Sequence, residues 1–146
     1  MVWLPIQAEL ARIKSRHGYA LLWDAHSIRS QIPWLFEGKL PDLNIGTANG
    51  QAAHTSITQA VASACEGNAR YTSVVNGRFK GGYITRRYGR PAQHVHALQL
   101  EMCQCTYMEE HMPFAYNETK ASAVQPLLQT MLVAALQSAK ALYERE

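Results

Sequence analysis

The feature that most constrains the fold is an alternation of strand-like and helix-like segments. An apolar run, Tyr19-Ala20-Leu21-Leu22, follows a helical stripe of Trp3, Ile6, Leu10 and Ile13, spaced three, four and three apart. The spacing predicts a helix over 4–17, closed at Gly18, and a strand over 19–24. An irregular stretch follows over 28–42, carrying Pro33, Gly38 and Pro41. A short strand is then expected at Leu43–Gly46, with a loop at Asn49-Gly50. Thr55 can cap a helix over 56–68 with Ile57, Val61, Ala64 and Cys65 on one face. Tyr71–Asn76 and Val95–Met102 read as strands, separated by a basic, Gly-punctuated loop over 77–93. Asn117 opens a helical region reaching about 144, in which Pro126 starts or kinks the main helix. Its stripe joins Leu127, Leu128, Met131, Leu132, Ala135, Leu136, Ala139, Leu142 and Tyr143. Such alternation specifies an α/β fold with a mainly parallel sheet flanked by helices.

At 146 residues the chain is expected to form a single domain over 1–146. Apolar residues make up 47% and charged residues 17%, which excludes a disordered chain. The net charge is only +3 and no Lys/Arg-rich run occurs, so nucleic acid is not an expected partner. No apolar run is long enough to span a bilayer, and the N-terminus lacks the pattern of a signal peptide. Three cysteines, an odd number, argue against a disulfide framework and for a reducing cytoplasm. The helix at the very start gives the chain the look of one that begins partway through a larger fold.

Chemistry concentrates where strands end. Asp24, His26, Ser27 and Arg29 follow the first apolar run, Asn76 to Lys80 follow the third strand, and Glu101 interrupts the apolar fourth. Ligands of open α/β sheets bind beyond the carboxyl ends of the strands, which predicts one cleft holding a histidine, carboxylates and cations. On spacing, His26 is either a metal ligand oriented by Asp24 or a hydrogen-bonded structural histidine. Glu101 is either a general base or a solvated strand-end carboxylate. Arg78, Lys80, Arg86 and Arg87 surround Gly81-Gly82 without forming a nucleotide fingerprint. They can grip carboxylates or phosphates, or form a mobile surface loop. His94-x-His96 could chelate a metal from one strand face or lie on an exposed edge. Cys103-x-Cys105 lacks the second pair a zinc ribbon needs.

Three long blocks carry a family resemblance: "HGYALLWDAHSIRSQIPWLFEGKLPDLNIGT" (17–47), "VNGRFKGGYITRRYG" (75–89) and "HALQLEMCQCTYM" (96–108). Together they closely resemble the N-formylglutamate amidohydrolase (N-formylglutamate deformylase) family, matching its C-terminal portion. The resemblance implies a fold like that of zinc carboxypeptidases and aspartoacylase, with its N-terminal part missing here. It implies hydrolysis of N-formyl-L-glutamate to formate and L-glutamate, within histidine degradation. Zinc is the implied cofactor, with "DAHS" supplying His26 as one ligand and the others coming from the missing N-terminal segment. "LQLEM" supplies Glu101 as general base. Asn76, Arg78 and Arg86, together with Arg29, are the expected grips on the substrate's carboxylates, an assignment made on their chemistry. The expected partner is a small N-acyl amino acid, with an oligomer a further expectation. A truncated non-catalytic homologue and a deacylase of another N-acyl amino acid are the alternatives.

Overall fold

A computed structural model describes residues 3–144, with the Trp3 and Leu4 side chains outside the described set. The packing of the Trp3 side chain, first in the predicted stripe, therefore lies outside the described set.

The first helix, α1 (Trp3–His17), gathers Lys14, Arg16 and His17 in its last turn, where the helix dipole favours cations. It stops at Gly18, whose φ of +83° suits a residue without a Cβ. Strand β1 (Ala20–Ile28) is longer than expected and runs through Asp24, His26 and Ser27, leaving Arg29 just past its end. β2 (Leu43–Gly46) lies as predicted, whereas β3 (Ser73–Val75) is only the centre of the 71–76 segment. Helix α2 (Thr55–Glu66) is capped by His54 rather than Thr55, its side chain accepting from the Ser56 N–H. The 77–93 segment is not all loop. It holds a short helix, α3 (Tyr83–Tyr88), and a single 3-10 turn at Pro91–Gln93. β4 (Val95–Cys103) is central, and α4 (Glu118–Tyr143) closes the chain. Pro126 does not start the main helix. It sits inside α4, which begins eight residues earlier behind an Asn117 cap accepting from the Lys120 N–H.

The sheet has the order β1-β4-β2-β3. β1 pairs parallel with β4 and β3 pairs parallel with β2, but β2 runs antiparallel to β4. The expected convergence of three carboxyl strand ends is therefore wrong. The ends of β1 and β4 point one way and that of β3 the other. What the registers align instead is a row across the sheet: Asp24 beside Gln99 beside Gly46, and His26 beside Glu101 beside Asn44. Side chains of aligned residues share a face, so the polar groups collect on the sheet's surface rather than beyond its edge.

The opposite face is the main core. Leu43, Ile45, Leu98 and Leu100 pack there against Ile57, Val61 and Cys65 of α2 and Leu127, Met131, Ala135 and Ala139 of α4. On the polar face two smaller clusters flank the row. One joins Leu10 and Tyr88 to Ala20 and Leu22, the other joins Ile32, Phe36 and Leu40 to Ile28 and Cys103. Between them the face is left open.

Candidate active site

The open stretch is a hollow of about 630 Å³, bounded by Asp24 and His26 on β1, Gln99 and Glu101 on β4, and Arg78 and Lys80 from the loop between β3 and α3. The strand pleat explains the first four: residues two apart in β1 and in β4 project from the same face, and the two strands are in register. Gly46 explains why the loop can reach the sheet. A Cβ there would collide with the Gly81 nitrogen and stand 2.6 Å from the Lys80 carbonyl carbon. The loop is then pinned by Ala48 N–H donating to the Lys80 carbonyl (2.6 Å) and Gly82 N–H donating to Gln99 Oε1 (2.7 Å).

His26 Nε2 stands 2.9 Å from Asp24 Oδ1, an intrastrand pair that fixes the imidazole over the hollow. Glu101 is only 8% exposed. Burial pushes its carboxyl above the ordinary carboxylate range; His26 opposes this and Asp24 adds to it. A buried carboxyl with a raised pKa beside an imidazole is suited to accepting and returning a proton. Neighbouring Asn44 donates through Nδ2 to the Glu101 carbonyl (3.0 Å) and the Pro41 carbonyl (2.8 Å), tying β4 to the loop before β2.

The sequence-predicted residues divide. Glu101, His26 and Arg78 line the hollow together. Arg78 also donates to the Leu35 carbonyl and lies over the Phe36 ring. Asn76 is placed elsewhere. At φ +52°, its Oδ1 accepts from the Thr47 and Asn49 N–H groups and its Nδ2 donates to Thr47 Oγ1, which clasps the 47–49 turn. Arg86 donates to the Gly81 carbonyl (2.7 Å) and lines a separate hollow with Gln51, Arg90 and Pro91. Arg29 donates to the Glu110 carbonyl and lies over Phe114, on the far side of β1's end. His94 and His96 do not form a chelating pair; His96 is buried and both rings pack on Tyr143. Gln99 was not anticipated, although a glutamine two residues before Glu101 in an apolar strand was its visible signal.

Among the described residues no three His, Cys, Asp or Glu side chains are grouped to hold a metal ion. Catalytic zinc typically takes three protein ligands plus water. The hollow offers one imidazole, whose Nε2 already faces Asp24. This donor set does not by itself fit a catalytic zinc centre.

Comparison with known proteins adds the decisive observation. Residues 5–108 match the family model described as N-formylglutamate amidohydrolase. The chain belongs to the N-formylglutamate amidohydrolase family. The match takes in both β1 and β4, and with them the whole hollow. Among its relatives is an N-formylglutamate deformylase of Pseudomonas aeruginosa, 52% identical over 90% of this chain and 51% of the relative. A second, from Pseudomonas putida, is 49% identical over 99% of this chain and 55% of the relative. The chain thus spans about half the length of the curated relatives it matches. A crystal structure of N-formylglutamate amidohydrolase from Ralstonia eutropha superposes with a TM-score of 0.71, covering 94% of this chain and 50% of that one. At 24% identity that likeness concerns the fold.

Proposed function

We propose that the hollow is the acid–base and substrate-binding part of an amidohydrolase that cleaves N-formyl-L-glutamate to formate and L-glutamate. The observation that carries this reading is the alignment of His26 with Glu101 on adjacent strands, under the Arg78–Lys80 loop. The family and the relatives' names support the reaction and the substrate. Glu101 takes a proton from the attacking water, then returns it to the departing amine nitrogen as the formyl C–N bond breaks. His26 polarises the formyl oxygen or the water through its ring. Arg78 and Lys80 hold the glutamate carboxylates, which converts binding energy into alignment. Arg86, Arg29 and Asn76 remain in the proposal as carboxylate grips only through movement of their segments, because each is otherwise engaged.

Kinship with zinc carboxypeptidases and aspartoacylase belongs to the same proposal, and so does zinc. His26 would be one ligand, with the remaining donors supplied from outside the described residues. In a longer chain that carries those donors, zinc retained after dialysis by the unsubstituted protein and lost from His26→Ala supports that role, and retention by both overturns it. A cytoplasmic location rests on the three free thiols, Cys65, Cys103 and Cys105. Among the described residues no helix is long and apolar enough to cross a membrane.

The direct test is formate release from N-formyl-L-glutamate, with N-acetyl and N-succinyl analogues alongside. Glu101→Gln should lower turnover by about 10²–10⁴-fold; unchanged turnover would remove Glu101 from the chemistry. Preference for a longer acyl group would reassign the protein to a related deacylase. The single imidazole of the hollow, engaged by Asp24, favours a second reading, a non-catalytic homologue that binds the dicarboxylate alone. Calorimetric binding of N-formyl-L-glutamate without formate release would establish it.

A further inference from the structure

Gln99 lies on the hollow face of β4, two positions before Glu101, and is only 6% exposed. Its Oε1 accepts from the Gly82 N–H at 2.7 Å. A backbone N–H can only donate, so that contact decides which end of the carboxamide is oxygen and fixes the place of Nε2 as well. Of the two ends, only Oε1 is hydrogen-bonded among the described residues. The buried side-chain nitrogens and oxygens left without a partner there are Asn44 Oδ1 and Thr85 Oγ1, so Nε2 is not sealed inside the protein. Its two N–H groups are open to the hollow that Gln99 lines.

The neighbours across the sheet give those donors a direction. Asp24 lies on one side of Gln99 and Gly46 on the other. The Asp24 carboxylate can only accept, and its Oδ1 is turned to His26 Nε2 at 2.9 Å. Gly46 has no side chain, and the Lys80–Gly81 backbone lies in the space above it. The β2 side of Gln99 therefore joins an amide donor to the loop that carries Lys80, away from Asp24.

Distance along β4 selects the group that meets this donor. Glutamine and glutamate side chains have the same length, so the ends of Gln99 and Glu101 stand two strand steps apart, roughly 6.6 Å. In the proposed reaction Glu101 serves the amide nitrogen. From that nitrogen, an extended glutamate places its α-carboxylate carbon about 2.5 Å away and its γ-carboxylate carbon about 5 Å away, with the oxygens one bond further. In the other direction the next residue on this face is Cys103, buried among Ile32, Phe36 and Leu40, and that end is closed by apolar side chains. Arg78 lies there, over the Phe36 ring.

We propose that Gln99 is the specificity-determining residue for the substrate's side chain. Its Nε2 donates to the γ-carboxylate beside Lys80, while Oε1, held by Gly82, keeps the amide aligned. Arg78, at the Phe36 end, is left to the α-carboxylate. The role rests on the reaction proposed above for the hollow. A side chain one methylene shorter stops short of the donor, and an uncharged one gives it no carboxylate to bond, so length and charge are read together.

Calorimetric titration with N-formyl-L-glutamate, N-formyl-L-aspartate and N-formyl-L-norvaline tests this. Norvaline keeps the aliphatic length and lacks the carboxylate. The wild type should bind the glutamate compound at least tenfold more tightly than either of the others. Gln99→Met keeps the side chain's length without donor or acceptor, and should cut the preference for glutamate over norvaline about tenfold. Equal weakening of both ligands, the result of a packing role alone, overturns the contact. Proton–nitrogen NMR separates direct contact from an effect relayed through the loop. The Gln99 side-chain amide signals, assigned by their absence from Gln99→Met, should move downfield with N-formyl-L-glutamate and stay in place with N-formyl-L-norvaline. No movement at saturation with the glutamate compound overturns the contact. A wild type that binds none of the three ligands overturns the reaction assigned to the hollow, and this role with it. A wild type that binds N-formyl-L-glutamate, with the preference intact in Gln99→Met, overturns this role alone.

Discussion

At Glu101, burial and a neighbouring aspartate favour the neutral acid, while His26 favours the carboxylate; burial dominates. The folded pKa therefore lies above the unfolded one, and linkage sets the sign. Between those two values the unfolded chain binds fewer protons than the native one, so stability falls as pH rises through that window. Glu101→Gln should raise the thermal midpoint at neutral pH and lose that advantage below the ordinary carboxylate range, checked by melts across pH. His96 behaves in the opposite sense. Its Nδ1 accepts from the His54 N–H (3.1 Å) and its Nε2 pairs with the Tyr143 hydroxyl (2.6 Å). Burial, with His54 and His94 nearby, pushes its pKa from 6.5 down to about 4. The unfolded chain takes up a proton first as pH falls, so about 3 kcal/mol of stability should disappear between those values. Urea titrations at the two pH values should show this loss in the wild type and a flatter profile in His96→Gln.

Among the elements, the loop between β3 and α3 decides whether a hollow exists at all. It lies on the sheet because Gly46 leaves room and because Asn76, in a left-handed conformation, clasps the turn after β2. Gly46→Ala forces the Lys80–Gly81 backbone off β2. It should lower both stability and binding of N-formyl-L-glutamate, whereas a Lys80→Ala variant should weaken binding alone; melts beside calorimetry separate the two. Asn76→Ala leaves three hydrogen bonds unmade at a φ of +52° and should cost about 2–4 kcal/mol in urea unfolding. A 3.6-residue period located α1, α2 and α4 in the sequence, while β2 and β4, buried on both faces, were legible as short apolar runs bounded by turn residues. α3 escaped because six residues with arginines and glycines around them carry no period. The length of β1 escaped because Asp24, Ala25 and His26 look like a strand's end when only hydrophobicity is read.

For the whole molecule, α4 is the brace. Leu127, Met131, Ala135 and Ala139 recur every four residues and lie fully or nearly buried against the sheet face that has no chemistry. Met131→Ala should destabilise by about 2–5 kcal/mol, measured by urea unfolding, while leaving the residues of the hollow in place. Local pattern and motif were enough to determine the α/β class, the chain's main elements and the family, and to single out His26, Glu101 and Arg78. Strand direction was beyond them, because hydrophobic periodicity is the same for parallel and antiparallel neighbours. Only the tertiary structure placed β2 antiparallel to β4 and so moved the site from the strand ends to the sheet face. It also decided which cations face the hollow, since a guanidinium's reach depends on which backbone carbonyl takes it, Gly81 for Arg86 and the sequence-distant Glu110 for Arg29.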